Sequence, residues 1–247
     1  MINLPGGDSV MATQLTFQFD EGGSIPTSPL QYIIKPIPYK LAMDVVIEHH
    51  YLHRRSSCSY AFGIYTPSNL LLGVIIYGKP PSSTLQKGIC GNDEANNVIE
   101  LTRLWVDDRA PKNIESFFIG RTLKMIPNEI IVSYAEIQQG HLGIIYQATN
   151  WLYTGLSAKF KDYAVKGLEH KHHATIEDSV GRYDKSININ KHALLVAKYG
   201  DKLFKKERPR KHRYIFFQAN KKRKKELLTK LRYPILPYPK RQEEYQS

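Results

Sequence analysis

A mixed α/β sheet with helices on its faces is the architecture this sequence predicts. Three observations carry that expectation. Two apolar strands joined by the turn signal Thr66-Pro67-Ser68-Asn69 read as a β-hairpin. Beyond them, strand-like and helix-like segments alternate, which favours a mixed sheet. The chain has 247 residues, 42% hydrophobic and 23% charged, an ordinary globular composition with enough length for a real core.

The elements follow in order. Residues 1–28, rich in Gly, Ser, Thr and Pro, read as a loose N-terminal arm. Residues 32–37 form a short strand stopped by Pro36 and Pro38. Residues 39–53 predict a helix, because Ala42, Val45, Val46, His49 and Leu52 repeat at helical spacing. Strands are read at 59–65 and 70–77, the second ended by Gly78 and Pro80-Pro81. Residues 86–97 read as a polar loop and 98–106 as a strand. A helix over 113–126 ends at Pro127, and a strand spans 129–135. Residues 140–154 are apolar nearly all round and predict a buried helix, with Gly155 at its C′ position. Residues 160–186 are polar, His-bearing and irregular. A helix at 190–199, a strand at 213–218 and a basic helix at 221–231 complete the reading, before Pro234, Pro237 and Pro239. Residues 29–218 thus form one domain, and 219–247 a basic helix with a Pro-rich tail.

Several classes are set aside. Cys58 and Cys90 are too few for a disulfide scaffold or a Cys-rich zinc module. The first residues carry no signal-peptide pattern. The longest apolar run, 70–77, falls well short of the roughly 20 residues of a membrane span. The expectation is a soluble, intracellular, reduced protein with no membrane partner; nothing specifies its oligomeric state. The dinucleotide fingerprint, the Walker A loop and the H-E-x-x-H motif are all missing.

The charge is concentrated. Residues 198–232 hold fifteen basic side chains and three acidic ones, a balance equal to the +12 of the whole chain. Such a block attracts a polyanion, and Lys and Arg contacts to phosphate dominate nucleic-acid affinity. Lys205, Lys206, Arg208, Arg210, Lys211, Arg213, Lys221, Lys222, Arg223, Lys224 and Lys225 are the candidate DNA contacts, with Tyr214, Phe216 and Phe217 interleaved. The competing reading is a solvated basic tail.

Four runs are distinctive: HYLHR at 50–54, ELTRLWVDD at 100–108, NIESFFIGRTL at 113–123, and SYA at 133–135 followed by QGHLGIIYQATNWLYTG at 139–155. They resemble the Mom family over roughly residues 45–160, with an echo at KHRY, 211–214. The strand order resembles the GNAT acyltransferase superfamily, on which Mom proteins are built. The resemblance implies a GNAT-like, mixed, mostly antiparallel central sheet flanked by helices, with acyl-CoA in the splay between the fourth and fifth strands. It implies phage enzymes that convert selected adenines in double-stranded DNA to the N6-carbamoylmethyl form, shielding the DNA from restriction in the cytoplasm of an infected bacterium. Acetyl-CoA is the implied donor, and iron is associated with the family. One feature departs from ordinary GNAT enzymes. The place of their glycine-rich pyrophosphate loop reads DRAPKNIESFFIG at 108–120, with one glycine.

Site candidates follow from residues and resemblance together. His50 and His53 are read as metal ligands or general base, Tyr51 as their catalytic neighbour, and His49 as a core residue. Arg103, charged within an apolar strand, is read as an anion clamp or as the partner of Glu100. Arg103, Arg109, Lys112, Ser116, Arg121 and Asn150 are the CoA-holding candidates, Arg103 and Ser116 also catalytic. Tyr146 is the acid implied by GNAT enzymes; Tyr134 and Tyr153 read as core, or as rings that stack on an extruded base or act as acid. Asp107 and Asp108 read as turn acids or metal ligands, and His170, His172 and His173 as a solvated cluster. An exocyclic amine is hard to reach inside a duplex, so the base is expected to be flipped into an aromatic pocket. Two rival functions remain: a GNAT acetyltransferase acting on a protein or small molecule, and a non-catalytic DNA-binding protein.

Overall fold

The computed structural model describes residues 25–171, 173–181 and 190–240. Most of the N-terminal arm, His172 and the last seven residues therefore lie outside the described residues. Seven strands form the main sheet, in the spatial order β1 (Ile33–Pro36), β2 (Tyr60–Tyr65), β3 (Leu71–Gly78), β4 (Val98–Val106), β5 (Ile130–Glu136), β9 (Lys211–Phe217) and β6 (Leu152–Leu156). Neighbours run antiparallel except β4 and β5. The sheet is thus mixed and mostly antiparallel, as the sequence predicts. A separate ribbon pairs β7 (Phe160–Val165) with β8 (Leu203–Arg208).

Side-chain alternation divides the core between the two faces. On one face, α3 (Ile114–Thr122) buries Phe118 and Ile119 against Ile75, Ile99, Leu101 and Ile131. On the other, α1 (Tyr39–His49) seats Ala42, Val45 and Val46 against Ala61, Val74 and Ile76. Beside it, α2 (Ser83–Cys90) and α7 (Lys221–Lys230) bring Ile89 and Leu227 onto Val98, Val132 and Ile215. The C-terminal basic helix is thereby part of the core. The ribbon carries its own small cluster, Val165, Ile176 and Leu195, with α5 (His173–Asp178) and α6 (Lys191–Tyr199).

Several segments depart from the sequence reading. The first helix stops at His49; His50 is extended and His53 takes a left-handed φ of 45°. The 86–97 loop overlaps α2. Residues 140–154 hold only one helical turn, α4 (Ile144–Gln147), and then β6. Gly140, Gly143 and Asn150 all sit at positive φ, which breaks a helix at three places. The unbroken apolarity of that stretch reports burial, not helix. Gly143 is required by closeness as well, since a Cβ there would run into the Tyr214 ring. The irregular 160–186 region supplies β7 and α5, and β8 lies inside the basic block.

One ion cluster ties α7 to the sheet. Arg223 donates to Glu94 at 2.6 Å, Glu129 at 2.9 Å and Glu226 at 2.7 Å, and Lys230 reaches Glu94 at 2.7 Å. Arg223 is therefore a structural cation, contrary to its reading as a DNA contact. The hydrogen bond from Arg223 holds the Glu94 carboxyl down to about 2. Its contribution to stability is complete above the ordinary value of 4.5 and is lost as pH falls toward 2. Arg223→Ala is expected to lower stability by about 2 kcal/mol, measured as a lower urea midpoint at neutral pH, and to flatten this acid limb. An unchanged midpoint would show that Lys230 alone satisfies Glu94.

Candidate functional site

β4 and β5 pair only over Val98–Ile130, Ile99–Ile131 and Glu100–Val132. Beyond this point the strands diverge, because each has a stronger neighbour: β4 continues on β3 to Val106, and β5 continues on β9 to Glu136. Where they part, the Ser133 hydroxyl donates to the Leu101 carbonyl at 3.0 Å and lies 2.8 Å from the Tyr146 hydroxyl. A side chain thus takes over the place of a backbone rung.

The opening holds a cavity of about 910 Å³. Leu104 and Trp105 of β4, Tyr134 and Ala135 of β5, and His141 and Tyr146 of the following loop are among its walls. A smaller hollow of about 350 Å³ adjoins it at the start of α3, lined by Asp108, Lys112, Ser116 and Ala148. Ile144 and Ile145 line both.

On the α1 face, the turn after α1 brings His50 and Tyr51 toward Arg103. His50 is buried and stacks on the Tyr51 ring, centroids 4.4 Å apart. The Tyr51 ring meets His141 edge-on at 6.4 Å, which carries the cluster to the cavity wall. Burial first, then the charge of Arg103 and then His53, pull the His50 pKa down to about 4. Its Nδ1 accepts from the Leu52 amide at 3.2 Å, so the neutral ring carries its proton on Nε2. His53 is arranged the opposite way: Nδ1 donates to the Ile47 carbonyl at 2.9 Å, which leaves the Nε2 lone pair facing outward. His53 is therefore the proton acceptor of the pair and His50 a hydrogen-bond donor.

Arg103 does not form the pair with Glu100 that the sequence suggested. Its guanidinium donates to the Thr102 carbonyl at 2.6 Å and the Arg55 carbonyl at 3.4 Å, while Nε stays buried without a partner. Glu100 is the residue that sequence reasoning passed over. Its Oε2 is likewise enclosed and unpartnered, and burial pushes the carboxyl up to about 7, against the pull of Lys211 and Arg103. The available signal was the one that singled out Arg103, a charged side chain within an apolar strand.

Other candidates fall in varied places. Tyr146 lines the cavity with its ring; burial above all raises its hydroxyl to about 12, and that hydroxyl is engaged by Ser133. Ser116 lines the smaller hollow and donates to the Asn113 carbonyl at 2.9 Å. Arg109 is gripped by Asp107 through two bonds of 2.8 Å and is not among the residues lining either hollow. Arg121 is exposed on α3, its guanidinium 5.1 Å from the Phe117 ring centre. Asn150 is exposed and closes the turn before β6. His49 stacks on Trp105 at 4.5 Å, the core role read for it.

The donor set does not make an iron site. Among the described residues no cluster of three or more His, Cys, Asp and Glu groups is placed to hold a metal ion. His50 and His53 offer imidazole nitrogens already assigned to backbone partners on one side.

The basic block divides into two populations. Arg208 pairs with Asp162 at 2.8 Å, Arg210 donates to the Ser157 carbonyl at 2.6 Å, and Lys211 pairs with Glu136 at 2.6 Å. Arg213 is buried, bonded to Thr154 and stacked 3.5 Å over Tyr233. Lys224 is half-buried, 5.5 Å from the Phe216 ring centre. Lys205 and Lys206 of the ribbon, and Lys221, Lys222 and Lys225 of α7, are exposed.

The His50 electrostatics can be measured directly. Because its pKa falls on folding, the ring costs stability as pH drops from the usual 6.5 toward 4. Nitrogen-detected NMR is expected to show the Nε2–H tautomer and a titration near pH 4. Arg103→Gln is expected to raise that midpoint without restoring 6.5, since burial is the larger cause. A midpoint of 6.5 in the parent protein would refute the buried placement.

Comparison with known proteins places this geometry. Methylcarbamoylase mom of Escherichia phage Mu is 28% identical over 228 residues, covering 89% of this chain and 88% of that protein. Among solved structures, spermidine/spermine N-acetyltransferase SpeG from Vibrio cholerae is similar at a TM-score of 0.42 and 8% identity, over 79% of this chain and 98% of that one. Ribosomal-protein-S5-alanine acetyltransferase from Vibrio fischeri gives 0.42 and 9%, over 77% and 94%. The model of the Mom protein family matches residues 31–240, from the short turn before β1 to the end of the described chain, and the chain belongs to that family.

Proposed function

We propose that this protein is a DNA-modifying transferase that exchanges one hydrogen on adenine N6 for a carbamoylmethyl group, protecting phage DNA from restriction. Family membership and the methylcarbamoylase named in phage Mu support the reaction class. The observation that carries the assignment to this site is the split between β4 and β5, with His50, Tyr51 and Arg103 gathered on one side of it and His53 next to His50.

Acetyl-CoA fits the opening. The cavity of about 910 Å³ is of the size that takes a small-molecule cofactor, roughly 300–1,000 Å³. The acyl arm would lie between Trp105 and Ala135, and the phosphates at the start of α3, where Lys112 and Ser116 line the hollow. When bound, it would supply an activated two-carbon unit, which becomes a carbamoylmethyl group on N6 only with an ammonia-level nitrogen donor and a two-electron oxidant as co-reactants. No glycine cradle surrounds the phosphates, so Lys112 carries that load. No step is assigned to iron.

The N6 lone pair is delocalised into the purine ring, so the amine needs help to react. His53, with Nε2 open, accepts the proton that leaves N6. His50 holds Tyr51 by stacking and stays neutral near pH 7. Arg103, close enough to Tyr51 to influence its hydroxyl, balances negative charge that develops beside it. The exposed lysines of β8 and α7 bind duplex phosphates and provide sequence-independent affinity.

The test is mass spectrometry of nucleosides from plasmid DNA after expression in a bacterium. The parent protein is expected to yield deoxyadenosine heavier by one carbamoylmethyl group. His53→Ala and Arg103→Ala are each expected to reduce it by about 100-fold or more while remaining folded. Lys222→Ala is expected to weaken DNA binding across sequences and to reduce the salt slope by about one. Unmodified DNA with folded, DNA-binding parent protein would turn the assignment toward a protein or small-molecule acetyltransferase, and activity that survives both catalytic substitutions would remove this cluster from the chemistry.

A further inference from the structure

A second cavity, of about 520 Å³, opens on the α2 and α7 face of the sheet. Its walls include Glu100 of β4, Tyr134 of β5, Phe160 of the ribbon, Arg213 of β9 and Tyr233 after α7. Tyr134 lines this cavity and the wedge between β4 and β5 alike, so the two spaces share one wall at the point where the strands part. Phe160 and Arg208 also line an adjoining hollow with Lys159, Lys161 and Arg210. The cavity therefore runs from a basic, phosphate-attracting rim to a carboxyl set among aromatic rings.

Inside, Glu100 has an enclosed Oε2 with no hydrogen-bond partner among the described residues. A buried, unpaired carboxyl oxygen is costly, and nothing in the fold requires a carboxyl at this place. Phe160 is 55% exposed at the rim, a large aromatic surface facing solvent beside Arg208. Aromatic faces with a basic surround are the means by which proteins hold unstacked bases, each stack contributing about 1–3 kcal/mol.

We propose that this cavity receives the extruded adenine, with the Glu100 carboxyl reading the base edge, Tyr134 and Tyr233 beside the ring, and Phe160 at the rim facing the opened stack. The proposal rests on the adenine-modifying reading above and deepens it. Adenine presents an N–H donor and a ring-nitrogen acceptor side by side. A carboxyl matches both when it is protonated, accepting from N6–H and donating to the ring nitrogen. Burial holds Glu100 near 7, so the protonated form is accessible at neutral pH. Guanine and thymine present the reverse order, a carbonyl beside a ring N–H, and pair with the carboxyl only if its donor and acceptor oxygens change places. Tyr134 stands between this cavity and the wedge.

The probe is deoxyadenosine 5′-phosphate, titrated into the full-length protein and followed by NMR, with thymidine 5′-phosphate as comparison. The parent protein is expected to bind the adenine nucleotide at least about tenfold more tightly, with shifts at Tyr134 and Tyr233. Glu100→Ala is expected to abolish the preference while leaving the thermal midpoint undiminished and duplex affinity within about twofold, since the variant removes an unpaired group. Glu100→Gln keeps one acceptor and one donor and is expected to recover part of the preference. In cells, Glu100→Ala is expected to lower the modified deoxyadenosine at least about tenfold, with Gln again recovering part. Equal binding of the two nucleotides by the parent, or an undiminished preference in Glu100→Ala, would overturn the assignment. So would a Gln variant as inactive in cells as Ala that still prefers the adenine nucleotide, which would make Glu100 a proton-transfer group. Should the parent leave plasmid DNA unmodified, the function proposed above fails, and the nucleotide titration still decides the cavity.

Discussion

Three residue pairs of parallel ladder between β4 and β5 hold the architecture of the site in place. With a longer ladder there would be no opening, and with none the sheet would be cut in two. β3 and β9 keep the outer sides of the two strands fully bonded while their inner sides part. The hydroxyl of Ser133 meets the last otherwise unpaired carbonyl, Leu101, and Tyr146 meets that hydroxyl in turn. The divergence is thus completed by side chains, which satisfies buried polar groups that a plain split would leave orphaned. Tyr146 is consequently a structural pin as well as a cavity wall.

Electrostatics is arranged on the same logic. The basic block is a ledger of two uses for one residue type. Arg208, Arg213 and Arg223 meet carboxylates, carbonyls or rings within the protein, as suits a planar group with several donors. Most of the exposed positions are lysines, compact charges on long stems that follow a phosphate backbone without fixed geometry, with Arg232 beside them. Composition alone does not make this division. It follows from the carboxylates at 94, 129, 136 and 162, which lie far away in sequence and arrive only through the fold.

That distance explains what was legible in the sequence. The hairpin of β2 and β3, the helices α1 and α3, and the strands β4 and β5 follow from local periodicity, and they appear close to where it places them. The 140–154 stretch misled because a buried loop and strand are as apolar as a buried helix; only three left-handed residues distinguish them. The ribbon strands β7 and β8 carry charged residues on their exposed side and bury little, so period and hydrophobicity were both weak. In the site, His50 and His53 were visible as a histidine pair and Arg103 as a charge in an apolar strand; His50 stacks on Tyr51 near Arg103, and His53 turns back to the Ile47 carbonyl. Arg109 and Arg121 were equally visible, yet a neighbour at i−2 holds one and a solvent-facing helix surface carries the other. Glu100 was visible only as a partner for Arg103, because a Glu near a strand start reads as a surface residue until the covering helices are placed.

The distribution of unsatisfied groups adds a last step. Among the described residues, the buried side-chain polar atoms without a partner are Glu100 Oε2, Arg103 Nε and Trp151 Nε1. Two of the three belong to one strand, three residues apart, at the position where that strand leaves β5. Elsewhere the fold takes care of its buried polar groups, through Thr122 to Tyr77, Thr154 to Arg213 and Ser133 to Leu101. A folding constraint alone would have joined Glu100 and Arg103 to each other, since burial makes an ion pair the natural refuge for both. They are instead kept apart, Arg103 turned toward Tyr51 and backbone carbonyls and Glu100 toward a cavity. Sites that must meet a partner from outside retain unmet polar groups, and their cost is offset by the packing of the surrounding core. On the function proposed above, the split strand separates two tasks on one face, charge stabilisation at Arg103 and recognition at Glu100, while the opposite side of the wedge is left for the donor.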